Sequence, residues 1–162
     1  MTPRQIQLLR DSFALVAPRA TLAGALFYDK LFERDPSVSA LFDTDMAAQS
    51  RRLFEMVGDA LALLDHPDEL DAVLQVLGAR HAAYGVRDDH YDTVGAALLD
   101  TLEASLGEAF TPQARDAWAG LYVHISRLMR QGASRADLAI HRRHGPPGLT
   151  SDTPASRSTA AR

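Results

Sequence analysis

The sequence predicts an all-α domain, and three observations carry that prediction. Apolar residues recur with the 3.6-residue period of a helix along almost the whole chain, and no segment alternates apolar and polar residues as a half-buried strand would. Helix-start chemistry stands in front of the periodic runs, as in Thr2-Pro3-Arg4-Gln5 and Thr111-Pro112. The periodicity stops at His141, beyond which the chain is rich in Pro, Gly, Ser, Thr and Arg.

The elements follow in order. Thr2-Pro3-Arg4-Gln5 is a capping box with Pro at the first helical position, and Ile6, Leu9, Phe13 and Val16 fall on one face of the helix it starts. Pro18 ends that helix and opens a second, to about Glu33. A turn is expected from Pro36 to Phe42. Thr44 or Asp45 then caps a long helix to about Leu64, and Asp65-His66-Pro67 separates it from a helix ending near Tyr84. Gly85 suits the left-handed position just past a helix end. Asp88 or Asp89 is expected to cap the next helix, which stops at Gly107, and Thr111-Pro112 starts a last helix to about Ile140. Residues 1–140 thus read as one domain, and 141–162 as a tail too polar to offset the cost of ordering itself.

Bulk properties exclude several functions. A chain of 162 residues suffices for one domain with a sizeable core. A formal net charge of -4 lacks the positive footprint of a nucleic-acid binder. No apolar run reaches transmembrane length, and the N-terminus has no apolar signal region, so a cytoplasmic protein is expected. Cysteine is absent, which excludes disulfides, thiolate metal sites, thiol nucleophiles and covalent attachment of haem through C-x-x-C-H. A transition metal would have to be held by His, Tyr or a carboxylate. No glycine-rich phosphate motif occurs. Asp88, Asp89 and His90 are clustered, but acids at a helix start serve first as caps, and Arg51-Arg52 read as solvated.

The candidate functional residues each have two readings. Leu70, Leu74, Leu77, His81 and Tyr84 share one helical face. His81 is therefore either a core histidine with satisfied nitrogens or a metal ligand. Gln49, Leu53, Val57, Ala60 and Leu64 form another apolar face that begins with a polar amide: a boundary residue or a site donor. Tyr28 shares a face with Phe32; it is either a buried aromatic bonded to backbone or a second donor. Phe42 would ordinarily be a core aromatic.

Together these residues form a recognisable order: Tyr28 in FYDKLF, Phe42 in LFD, Gln49 in DMAAQSRRL, His81 in ARHAAYGV, Tyr91 in HYDTVGAALL, and Trp118 in WAGLY. From about Ile6 to Met129 the chain resembles the bacterial single-domain globins and the haemoglobin part of the flavohaemoglobins. The resemblance implies a globin fold around one haem b, with His81 as the proximal iron ligand. It implies that Tyr28 and Gln49 are the distal polar pair, Leu53 the distal apolar wall and Phe42 the aromatic against the porphyrin. Leu77, Val86, Tyr91 and Val94 become proximal contacts, and Arg80 a candidate for a propionate. Gly24 and Ser50 are small where the second helix must cross the distal helix. The chemistry agrees: a haem needs an apolar cleft, and O2 on ferrous iron draws partial negative charge that a phenol or amide donor stabilises.

The chain departs from the flavohaemoglobin pattern in two ways. Counting from Trp118, the acidic residue of the last helix is replaced by Ala133, which leaves the proximal imidazole less anionic. The segment between Phe42 and Gln49 is short, as in other single-domain globins. The reading that follows is reversible binding of O2, with NO and CO as competitors. The rivals are an NO dioxygenase served by a separate NAD(P)H-dependent reductase, since nothing after the last helix reads as a reductase, and a haem-free interaction module. The empty acidic position favours binding over turnover; His81, Tyr28 and Gln49 argue against the haem-free module.

Overall fold

The computed structural model describes residues 1–42 and 45–143, in which six α-helices follow one another: α1 (Pro3–Val16), α2 (Ala20–Arg34), α3 (Met46–Ala62), α4 (Pro67–Ala83), α5 (His90–Leu106) and α6 (Pro112–Arg143). Among the described residues, 3-10 segments stand between α1 and α2, α2 and α3, α3 and α4, and α5 and α6, while α4 passes to α5 through a turn without one. The described residues contain no strand, as the uniform helical period requires.

The starts obey local chemistry. At α1 the Thr2 hydroxyl accepts from Gln5 N–H at 3.2 Å while Gln5 Oε1 accepts from Thr2 N–H at 2.8 Å, so two end-of-helix donors are satisfied reciprocally. Asp45 caps α3, its carboxylate accepting from Ala47 N–H at 3.0 Å; the alternative cap, Thr44, lies outside the described residues. Thr111 caps α6 through Ala114 N–H at 3.1 Å. Prolines open α1, α4 and α6, where a missing N–H costs nothing.

Three expectations need correction. Asp89 stands at the N-cap of α5 but caps nothing with its side chain. His90, the first residue of the helix, instead bonds backwards: its Nδ1 accepts from Arg87 N–H at 2.9 Å, and the aspartates turn to arginines. Tyr84, expected on the apolar face of α4, is 75% exposed and forms the C-cap just past Ala83. The last helix runs past Ile140 to Arg143; His141, Arg142 and Arg143 carry positive charge or donors to its C-terminus, where the helix dipole favours them. The rest of the expected tail, from residue 144, lies outside the described residues.

Helix α2 crosses α3 and lies along α5, while α6 packs on α1, α4 and α5. The larger core fills the space between α1, α2, α3, α5 and α6, with Leu9, Leu31, Phe54, Leu102 and Trp118 almost wholly covered. Each such side chain contributes about 1.5–3 kcal/mol by leaving water. Trp118 Nε1–H donates to Ser12 Oγ at 2.8 Å, so the one buried indole ties α6 to α1 without an orphan donor. A smaller core of Leu70, Leu74, Tyr91, Leu128 and Met129 joins α4 to α5 and α6.

Candidate functional site

The two cores divide the predicted site residues between them. Tyr28, Phe42, Leu53 and Val94 belong to the larger one. Leu77, Val86 and Tyr91 belong to the smaller, on the side of α4 and His81. Val94 packs against the larger core.

The Tyr28 group is built by a close helix crossing. A Cβ on Gly24 would stand 2.4 Å from the carbonyl oxygen of Ser50, so α2 and α3 meet backbone to backbone at that point. Ser50 turns its hydroxyl onto its own helix, to Met46 O at 2.7 Å, which keeps the crossing free of an unpaired donor. One turn beyond Gly24, Tyr28 is 5% exposed and seated among aromatic rings, with Phe27 at 5.0 Å and Phe42 at 5.1 Å, both edge-on.

Gln49, next to Ser50, reaches Tyr28 from α3: its Nε2 donates to the phenol oxygen at 3.2 Å. The Arg52 guanidinium donates to Gln49 Oε1 at 3.2 Å. Because arginine can only donate, the oxygen end of the amide must face Arg52 and the nitrogen end must face Tyr28. Burial raises the pKa of Tyr28 above 10.0, outweighing the amide and Arg52, so the phenol keeps its proton. With its oxygen occupied as an acceptor, the hydrogen remains to be given away. Arg52 was expected to be merely solvated; its position three residues after Gln49, one turn along the same face, is the signal that marks it.

His81 occupies the last turn of α4. The helix closes with Gly85 at φ 93°, Gly85 N–H donating to Ala82 O at 3.1 Å and Val86 N–H donating to His81 O at 3.0 Å. This Schellman closure uses the carbonyl of His81 itself and so fixes its backbone. The side-chain Nδ1 bonds to Leu77 O at 2.9 Å. A carbonyl only accepts, so Nδ1 carries the hydrogen. Burial lowers the His81 pKa below 6.5, with the Leu77 carbonyl opposing, which makes the neutral ring the form present at pH 7. A neutral ring with its hydrogen on Nδ1 has its lone pair on Nε2.

The remaining predicted residues are half-buried apolar side chains, Leu53, Leu77, Val86 and Val94 among them, with Phe42. Tyr91 is buried and its hydroxyl has no hydrogen-bond partner among the described residues, a state that costs about 1–3 kcal/mol unless a polar group reaches it. From α6, Tyr122 donates its hydroxyl to the Tyr91 carbonyl, and the Arg130 guanidinium lies 5.3 Å above the Tyr91 ring and pairs with Asp88 and Asp92. Ala133 is half-buried. Arg80 is exposed.

Comparison with known proteins follows the same outline. The family model described as Globin matches residues 25–129. The chain belongs to the globin family. It is 30% identical over 146 residues to neuroglobin of Chaenocephalus aceratus, spanning 82% of this chain and 92% of that one. It is 28% identical over 132 residues to the flavohemoprotein of Xylella fastidiosa, spanning 80% of this chain but 33% of the flavohemoprotein; the globin thus spans about a third of that relative. Among solved structures, a Drosophila melanogaster globin superimposes with a TM-score of 0.73 at 19% identity, over 81% of this chain and 94% of that one. An engineered carbene transferase from Rhodothermus marinus does so with a TM-score of 0.77 at 24% identity, over 86% and 98%. The architecture is the globin fold, and membership of the family implies haem binding and a gaseous ligand. No helix among the described residues is long and apolar enough to cross a membrane.

Proposed function

We propose that this globin holds one haem b through His81 Nε2 and binds O2 reversibly, with NO and CO as competing ligands, after the manner of the bacterial single-domain globins. The observation that carries the reading is the state of His81: Nδ1 is committed to Leu77 O, and burial keeps the ring neutral. Neutral imidazole with a bonded second nitrogen is the form that ligates iron.

The donor set fits a porphyrin better than a bare ion. Among the described residues no group of three or more His, Cys, Asp or Glu could hold a metal. A metal on His81 therefore has to bring its other ligands with it. The half-buried Phe42, Leu53, Leu77, Val86 and Val94 supply the apolar lining a flat macrocycle needs, with Tyr91 beside them.

When bound, the haem would supply an iron able to take a diatomic gas, and O2 held there would draw partial negative charge. The protein's part is to bind, orient and donate. His81 holds the group by a nitrogen fixed on a closed helix end. Tyr28 offers a phenol hydrogen and Gln49 an amide whose orientation Arg52 sets. Gln49 is a poor iron ligand, so the gas position stays open. The kinship to flavohemoproteins favours a second reading, in which bound O2 would oxidise NO to nitrate and a separate reductase would return the haem iron to the ferrous state.

The test is the visible spectrum of the purified chain with haem, ferric and then ferrous with CO, for the native protein and His81→Ala. A Soret band that moves with CO in the native chain, and loss of stable haem in the variant unless imidazole is added, are the expected results. Full haem occupancy and an unchanged spectrum in His81→Ala would refute the assignment.

A further inference from the structure

The tightest backbone approach at any described glycine is not the α2–α3 crossing beside Tyr28 but the crossing of α4 and α6. A Cβ on Gly78 would stand 1.9 Å from the carbonyl oxygen of Met129, and a Cβ on Gly132 would stand 1.9 Å from the carbonyl oxygen of Gln75. Both glycines are buried. The contact is reciprocal: each helix offers one glycine to the other's main chain. Every obstructing atom is backbone, so no side chain can rotate away to make room. Residue numbers rise along α4 as they fall along α6, from the Gln75–Gly132 contact to the Gly78–Met129 contact. His81 is the next residue on this face of α4, three beyond Gly78.

We propose that Gly78 and Gly132 are positioning residues for His81. The inference rests on the haem reading above and adds what sets the depth of the ligand. Side chains at a helix contact normally hold the axes about 8–10 Å apart. Here the glycines remove that spacer, so the α4 backbone lies directly on α6. The imidazole is carried on α4 as on a rigid rod: its Nδ1 is tied to Leu77 O and its carbonyl to the Val86 N–H, both on the same helix or its closure. A displacement of α4 therefore passes undiminished to Nε2. A close-packed interior cannot absorb a methyl group between two backbones, so an alanine at either glycine moves the rod. In the same register Gly132 meets Gln75, and Arg130 lies over the Tyr91 ring.

The experiment is resonance Raman spectroscopy of the ferrous, haem-loaded chain, reading the iron–histidine stretching band in the native protein, Gly132→Ala and Gly120→Ala. Gly120 is on the same helix with nothing within 4 Å of its Cβ position, so it makes the same change of helix propensity without the contact. The band should be unmoved in Gly120→Ala and displaced beyond its width in Gly132→Ala. O2 and CO binding rates should change together in Gly132→Ala, because the displacement acts through the iron's histidine and not through Tyr28. A folded, haem-loaded Gly132→Ala with the native band overturns the proposal. Should that variant not fold, His81→Gly loaded with haem and free imidazole cuts the ligand loose from α4. Its iron–imidazole band must then differ from that of tethered His81, and coincident bands overturn the proposal. A native chain that takes up no haem fails at the Soret band and overturns the parent reading with this one.

Discussion

Tyr28→Phe isolates one hydrogen atom. Tyr28 is 5% exposed and packed edge-on against Phe27 and Phe42, and phenylalanine keeps the ring, the volume and those contacts. What goes is the hydroxyl, whose oxygen accepts from Gln49 Nε2 at 3.2 Å and whose hydrogen burial keeps in place. The half-buried Gln49 amide retains Arg52 on its oxygen and can turn its nitrogen toward water, so the loss in folding stability should stay near 1 kcal/mol. Toward the gas, a hydrogen bond to a charged acceptor contributes roughly 1.5–3 kcal/mol. Lost from bound O2, that is an off-rate about ten- to a hundredfold faster. CO gathers little charge and should leave at nearly its native rate. Stopped-flow or flash-photolysis measurement of both gases on the haem-loaded chain decides the matter. Equal acceleration of O2 and CO would show that Tyr28 acts by packing, and no change in either would remove it from the gas site.

Four further outcomes are expected. Arg52→Leu frees the Gln49 amide to turn over, and the O2 off-rate should rise about two- to tenfold, the worth of an ordinary hydrogen bond; an unaltered rate would mean the amide is oriented by something else. Gly24→Ala drives a methyl into the Ser50 carbonyl, and urea denaturation should show a loss of about 1–3 kcal/mol, whereas a gain of the kind seen at an open helical glycine would contradict the crossing. Burial raises the pKa of Tyr28, Tyr91 and Tyr122 above 10.0; the folded state thus holds protons that the unfolded chain releases, and stability is complete below pH 10 and declines as pH rises through it. Absorbance at 295 nm should accordingly rise at pH 10–11 by less than the four tyrosines of the chain would give, and a full native-state step would refute their burial. NO consumption with excess NADH should require an added flavin reductase, since the chain has no glycine-rich phosphate motif; sustained NADH-driven turnover by the 162-residue chain alone would contradict this.

Helix existence was legible because it is written locally. Thr2 with Gln5, Asp45 and Thr111 cap the helices they precede, and Gly85 adopts the positive φ its position suggested. The order of Tyr28, Phe42, Gln49 and His81 was legible too, because periodicity places Tyr28, Gln49 and His81 on apolar helix faces and the resemblance supplies Phe42 and the pairing of Tyr28 with Gln49, which the fold brings within 3.2 Å. What escaped depends on partners far apart in sequence. Nothing near Asp88 and Asp89 announces that Arg130 will claim Asp88, or that Asp89 will leave the helix start without a side-chain cap. Gly85 marks the end of α4, but nothing near Tyr84 shows that its ring will turn to solvent. Gly78 and Gly132 are the sharpest case. Read alone, each is a weak point in a helix, giving up about 1 kcal/mol relative to alanine, and the pair give up about 2 kcal/mol for no local gain. The gain appears only when α4 is laid on α6 and each glycine is found against the other helix's carbonyl. Sequence patterning could identify the histidine, but its placement is a property of two backbones, and the two residues that set it have no side chains to give them away.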